Sequence, residues 1–304
     1  MSDLKIAILG PGGVGGFLAG ALARAGDGVT VVARESTAAL IARDGLRVQS
    51  VVLGDMVARP AATARLADDV DVLVVATKAA GLDDALARVE GEPALVVPLL
   101  NGLDHLPRLR ERFGTRAVAG TIRIEADRPK AGVVVQTSPG VRVDLASADP
   151  ERRPALERFA AALTAAGVPA RVEASEPQVL WSKLVRLNAL ACTTSAFDLP
   201  LGEIRADAEK RAELVACVRE TAAVANADGA AIDPDDTVAE LDAAHATLGS
   251  SMRRDIAAGR VPELDAIPGA VMRAGARLAV PTPAVAALAA RIARRAGIPA
   301  PSVA

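Results

Sequence analysis

Apolar runs and glycine breaks alternate along the first half of the chain, and the alternation predicts a parallel sheet with helical crossovers. Ile6-Ala7-Ile8-Leu9 is a short, wholly apolar strand that runs into Gly10-Pro11-Gly12-Gly13-Val14-Gly15-Gly16. An alanine-rich helix over residues 17–25 follows, then a second apolar strand over residues 29–33. Residues 71–76 and 94–100 are continuous apolar runs, as expected of strands buried on both faces. Residues 46–51 alternate in character and meet Gly54-Asp55, which reads as a strand and turn outside the main run. Further strands are expected at 117–125, 132–136 and 141–145, with a turn around Ala126-Asp127-Arg128-Pro129, and this later part is less clearly parallel. A helix over 154–166 and a last strand over 168–173 complete the first half.

After Ser175 the period changes. Leu180, Leu184, Leu187 and Ala191 line one face of a helix, and residues 213–227, 237–248 and 283–296 are amphipathic with helical spacing. Pro and Gly separate these segments, and no repeat or low-complexity linker intervenes. The pattern divides the chain into an α/β domain over 1–174 and an all-helical domain over 175–304.

The glycines give the first domain a chemistry. Gly10, Gly12 and Gly15 form G-x-G-x-x-G between a strand and a helix, inside a βαβ unit. Gly10 allows the tight turn, Gly12 lets the backbone approach a pyrophosphate, and Gly15 lets the helix pack close to the sheet. The helix N-terminus that follows offers unpaired N–H groups and a positive dipole end to phosphate, and Gly13 and Val14 join the three glycines as cofactor-binding candidates. That is the fingerprint of a Rossmann dinucleotide-binding domain. Arg34 comes directly after the second strand, where a 2′-phosphate would sit, and Glu35, the residue type that would instead bond a ribose hydroxyl, comes one position later. This order favours NADP(H) over NAD(H). Ser36 is expected to cap the next helix. Thr77-Lys78-Ala79 and Asn101-Gly102 follow apolar strands at the carboxyl edge of the sheet, where open α/β sheets bind ligands. Lys78 is therefore a candidate site residue, and Asn101 a candidate contact of substrate or nicotinamide.

Composition narrows the remaining classes. The 304 residues suit one large or two moderate domains. A net charge of -2, 2% aromatic residues and no Tyr argue against a nucleic-acid partner. Cys192 and Cys217 form no C-x-x-C pair and read as small buried hydrophobes, in keeping with a reducing cytoplasm. His105 and His245 lack ligand spacing, so surface or capping roles and no metal are expected. Residues 6–23 carry no charge and are about membrane length, but glycines and a proline break them, and the βαβ reading accounts for each break. Neither a membrane span nor a signal peptide is expected.

At Leu180-Trp181-Ser182-Lys183-Leu184 the sequence becomes recognisable. With the opening glycines, Arg34, Thr77-Lys78-Ala79, Asn101-Gly102, Gly202-Glu203-Ile204-Arg205, Ser250-Ser251-Met252 and Glu263, it resembles the ketopantoate reductase family (2-dehydropantoate 2-reductase) over nearly its full length. The resemblance implies a Rossmann domain joined to a helical domain, and NADPH-linked reduction of the 2-keto group of 2-dehydropantoate to pantoate, on the way to pantothenate. It places Lys78 beside the cofactor. It implies that Lys183 is the general acid and that Glu263, like Ser251, is a substrate-binding position; the chemistry lets Glu263 either orient Lys183 or accept the substrate hydroxyl, and it is carried with Lys183 as a catalytic candidate. Asn101 and Ser251 would touch a small 2-keto acid substrate, with Asn101 also near the nicotinamide. The family carries asparagines one and two turns after the lysine; here Leu187 and Ala191 stand in those places. Asn188, one residue and about 100° further round the helix, is the nearest substitute and is carried as a substrate-binding candidate. The departure favours one alternative, a paralogous reductase of another small 2-keto acid or ketone; a second, a dinucleotide-binding sensor without turnover, is opposed by the presence of Lys183, Ser251 and Glu263 together. The apolar helical half also offers faces for a homodimer.

Overall fold

Five parallel strands build the main sheet of the computed structural model, which describes residues 4–302. In chain order the elements of the first unit are β1 (Lys5–Leu9), α1 (Gly13–Ala25), β2 (Gly28–Val32), α2 (Glu35–Asp44), β3 (Leu46–Ser50), β4 (Met56–Ala58), β5 (Ala61–Thr63), β6 (Val70–Val75), α3 (Leu82–Leu86), β7 (Pro93–Pro98), α4 (His105–Phe113), β8 (Ala119–Arg123), β9 (Ala126–Lys130), β10 (Val133–Gln136), β11 (Arg142–Ala146), α5 (Arg153–Ala165) and β12 (Ala170–Val172). The main sheet has the order β5-β2-β1-β6-β7. The chain moves outward from β1 through β2 to β5, then returns to the other side of β1 for β6 and β7. The reversal puts a topological switch point between the ends of β1 and β6, and ligands of open α/β sheets bind outside such a point. Ile6, Ala7, Ile8 and Leu9 are all but fully buried, as a central strand covered on both faces requires.

The later strands leave this sheet. β3 joins β4, β10 and β9 in a second sheet, and β8, β11 and β12 form a third. The turn expected at 126–129 is instead β9, which pairs with β10 alone at the edge of its sheet. An edge strand tolerates Pro129 because the missing N–H faces away from the ladder. β5 escaped notice in the sequence because three residues are too few to show a period.

The second unit holds α6 (Glu176–Phe197), α7 (Leu201–Ala206), α8 (Ala208–Ala227), α9 (Pro234–Ala243), α10 (Ser251–Ala257), α11 (Ala270–Arg277) and α12 (Pro283–Ala296). The division falls inside α6: residues through Val179 group with the first unit and those from Leu180 with the second, which also takes Asn101–Asp104. The sequence placed the boundary at 174 and did not separate this four-residue loop. Asp207 and Asp233 cap α8 and α9 by accepting from Glu209 N at 3.0 Å and from Asp235 N at 2.8 Å, so both helices begin earlier than their apolar periodicity. α9 also stops at Ala243, short of the expected 248. Trp181 is fully buried among the helices and donates its Nε1–H to Asp228 Oδ2 at 2.9 Å. Burial of such a ring stabilises by about 3 kcal/mol or more. Among the described residues no helix is long and apolar enough to cross a membrane.

Candidate functional site

Each unit carries one part of the predicted chemistry. In the first, Gly10 ends β1 at φ +94°, a left-handed value that a side chain resists. Its N–H reaches Val32 O at 3.0 Å, and its carbonyl accepts from Gly12 N at 2.9 Å, so the chain turns sharply into α1. A Cβ on Gly15 would lie 2.2 Å from Gly10 O and 3.0 Å from Ala76 Cβ, which makes glycine obligatory for helix and strand to approach. Gly12 differs. A Cβ there would meet only Ala76 O at 3.9 Å, an ordinary contact. The protein's own packing does not require glycine at position 12; a phosphate brought against the backbone would.

The surroundings fit a dinucleotide in other ways. α1 has no acidic residue in its first turn and no side-chain cap, so the N–H groups of Gly13, Val14 and Gly15 face an end that anions favour. Thr77, just beyond β6, presses against Gly10, and its Oγ1 is buried without a hydrogen-bond partner. A buried hydroxyl without a partner is costly, and one at a switch point is suited to a ligand. The sequence placed Thr77 at the sheet edge without giving it a role. Lys78 is exposed immediately after it. Arg34 occupies the N-cap position of α2 and makes no side-chain capping bond, while Glu35 opens the helix. The expected cap, Ser36, therefore lies inside the first turn. An exposed cation at a helix N-terminus opposes the dipole, so the needs of α2 do not account for Arg34.

In the second unit three distant segments converge. Lys183 of α6 donates from Nζ to Asn101 Oδ1 at 2.8 Å, and Asn101 donates from Nδ2 to Glu263 Oε2 at 3.0 Å. All three side chains are half-buried. The amide has one possible orientation, because an ammonium can only donate and a carboxylate can only accept. Glu263 thereby turns the Asn101 oxygen toward the lysine.

Local sequence explains why two of these segments meet. Gly102 sits at φ +86°, and a Cβ on it would lie 1.9 Å from Ala266 O, so only glycine lets the 101–104 loop lie against residue 266. Residues Asp265–Gly269 form a π-helical turn. Pro268 has no N–H for the carbonyl of Leu264, and Gly269 N bonds it instead, at 3.2 Å. Arg273 of α11 bonds Asp104 Oδ2 at 2.6 Å and Asp265 Oδ1 at 2.8 Å. Burial works against its charge, but Asp265 and Asp104 outweigh burial and raise its pKa.

The remaining candidates separate. Ser251 is exposed at the start of α10, while Ser250 caps that helix by accepting from Arg253 N at 3.1 Å. The hydroxyl of Ser251 is thus not used as the cap. Asn188 does not face a substrate. It is 0% exposed, and its amide donates to Thr221 Oγ1 at 2.9 Å and accepts from Cys192 Sγ at 3.3 Å. The rotation of one residue from the Lys183 face carries it into the helical core. The hydrogen bond with Cys217, together with burial, pushes the Cys192 thiol well above its usual pKa, and both cysteines lie buried in the core. His105, for which a surface or capping role was expected, is buried at the start of α4. Among the described residues no group of His, Cys, Asp and Glu could hold a metal ion.

Known proteins match both units. Residues 6–149 match the family described as Ketopantoate reductase PanE/ApbA, and residues 177–296 match Ketopantoate reductase PanE/ApbA C terminal. The chain is 32% identical to the 2-dehydropantoate 2-reductase of Caulobacter vibrioides over 289 residues, covering 92% of this chain and 95% of that one. The solved 2-dehydropantoate 2-reductase of Geobacter metallireducens is 27% identical, with a TM-score of 0.86 over 96% of this chain and 99% of that one. A D-mandelate dehydrogenase solved with NADH and anilino(oxo)acetate shares the fold at 22% identity, with a TM-score of 0.86 over 97% and 99% of the two chains. With its parallel-sheet first unit, its helical second unit and family matches over most of its length, the chain belongs to the ketopantoate reductase family of oxidoreductases.

Proposed function

We propose that this protein uses NADPH to reduce the 2-keto group of 2-dehydropantoate, giving pantoate for pantothenate synthesis in the cytoplasm. The observation that carries the reading is the Lys183–Asn101–Glu263 chain of hydrogen bonds. When a ketone carbon accepts hydride, negative charge develops on its oxygen. An ammonium placed there stabilises the charge and then transfers a proton, which completes the alcohol. Lys183 takes this role, and solvent returns its proton. Asn101, turned by Glu263, fixes the direction of the Lys183 side chain, and Asn101 and Ser251 bind the substrate.

Bound NADPH supplies the hydride. Gly10, Gly12, Gly13, Val14 and Gly15 would hold its diphosphate, Arg34 its 2′-phosphate, and Lys78 would lie beside it. The division of labour assigns the dinucleotide to the first unit and the proton donor to the second. Similarity to the Caulobacter vibrioides 2-dehydropantoate 2-reductase supports the choice of substrate.

A second reading, a paralogous reductase of a more apolar 2-keto acid, is favoured by one observation. Leu187 and Ala191 follow Lys183 on its own helix face, and Asn188 is spent in the core. Turnover of 2-dehydropantoate and of a panel of hydrocarbon 2-keto acids, followed by the loss of nicotinamide absorbance with NADPH and with NADH, separates the readings. Reduction of 2-dehydropantoate supports the first, and reduction of only an apolar acid replaces it with the second. NADPH binding without turnover of any acid would leave a dinucleotide sensor.

A further inference from the structure

We infer that Arg273 is a positioning residue for Lys183, acting with Asp104 through the two segments that carry Asn101 and Glu263. The inference rests on the reductase reading of the same site. Asn101 and Glu263 come from segments far apart in the chain, and three separate links join those segments. Asn101 donates to Glu263. Gly102 lies against the carbonyl of Ala266. Arg273 closes the third link, from Nη2 to Asp104 Oδ2 at 2.6 Å and from Nη1 to Asp265 Oδ1 at 2.8 Å, with Nη2 also donating to Asp265 O at 2.9 Å.

The chemistry suits a fixed spacer. A guanidinium is a planar fork that holds its partners at set angles, which an ammonium does not. An isolated exposed ion pair contributes little, and Asp104 and Asp265 are 54% and 75% exposed. Arg273 itself is only 25% exposed and engages both carboxylates and the carbonyls of Asp265 and Ser302, so its position is over-determined. Gly102 leaves the backbone of the loop permissive; the clamp restores the definition. Definition matters at this place because misplacing a reacting group by about 1 Å can cost roughly a hundredfold in rate.

The test uses Arg273→Met and Asp104→Asn, each alone and combined with Asn101→Ala. Each single change is expected to lower kcat about tenfold and leave the Kd for NADPH unchanged, since the relay needs its geometry and the dinucleotide site does not. In the Asn101→Ala background, Arg273→Met should have little further effect, because its route to Lys183 is already cut. Arg273→Lys should restore only part of the rate. Full activity of both single variants, or losses that multiply with Asn101→Ala, would overturn the inference. Asp104→Asn removes one exposed carboxylate and keeps the test available should Arg273→Met fold poorly. If the wild-type protein reduces no 2-keto acid, the reductase reading has failed separately. Amide hydrogen exchange then decides the clamp: faster exchange in Arg273→Met confined to residues 102–104 and 263–269 keeps it, and unchanged exchange removes it.

Discussion

The glycine turn and the lysine relay are built from different atoms. The turn is backbone, made by one short stretch of chain closing on Ala76 and Thr77. The relay is side chain, made by residues 82 and 162 positions apart. A backbone site fails when a Cβ intrudes, whatever the chemistry of the added group. A side-chain site fails when a donor becomes an acceptor or disappears, even if nothing clashes. The two parts therefore fail to different substitutions and show the failure in different measurements.

The largest effect is expected at Lys183, the proposed proton donor. Lys183→Ala should lower kcat by about 10²–10⁴, the range for removal of a general acid, and leave dinucleotide affinity as it was. A variant that keeps its rate would take Lys183 out of the mechanism and remove the contrast between the two parts. Gly12→Ala should do the reverse. Its Cβ meets only an ordinary contact within the protein, so Tm should hardly move. Dinucleotide affinity should fall roughly 10–100-fold, the equivalent of about 1–3 kcal/mol of overpacking against a phosphate. Gly15→Ala is the control, because its Cβ has no room in the protein itself and should lower Tm as well. Equal behaviour of the two glycines would mean that Gly12 has no ligand to receive.

A smaller effect sharpens the choice of cofactor. Arg34 is exposed, and α2 makes no use of its side chain as a cap. Arg34→Ala should weaken NADPH about tenfold, the lower end for a charge-assisted hydrogen bond, with little change for NADH. Titration of both cofactors measures this. A matched loss for the two would assign the guanidinium to something other than the 2′-phosphate.

The difference between the parts also explains what could be read in advance. The main sheet was visible because its strands are continuous apolar runs, and the glycine turn because its demands fall within one stretch of sequence. β5 and β9 were not, since three residues show no period and Pro129 imitates a turn. Asn101 was named from its place after a core strand and Lys183 and Glu263 through family resemblance, but their mutual bonds depend on tertiary contact that no local pattern encodes. The same limit hid Arg273 and Asp104, to which the sequence assigned no role; in the structure Arg273 bonds both Asp104 and Asp265. Asn188 was misplaced for a geometric reason. A step of one residue on a helix exchanges the Lys183 face for the core, and only the structure shows Thr221 and Cys192 waiting there.

The smallest effect tests what the relay accepts. Leu187 lies one turn beyond Lys183 on the same face and is half-buried against the helical core. On the next turn Ala191 is buried, and the hydroxyl of Thr194 is bonded to Leu190 O and Ser250 Oγ. Arg186, also near this face, pairs with Glu240 at 3.5 Å. These polar side chains of α6 are thus engaged with the protein itself. A substrate hydroxyl beside Leu187 would be stripped of water without a partner there, whereas a hydrocarbon substituent would lose nothing. Leu187→Asn should therefore raise kcat/KM for 2-dehydropantoate relative to its counterpart without the hydroxyl by about three- to tenfold, the yield of one neutral hydrogen bond. The ratio cancels any common loss of stability or cofactor affinity. A ratio that stays constant would show that the substituent lies elsewhere and that Leu187 belongs to the core alone.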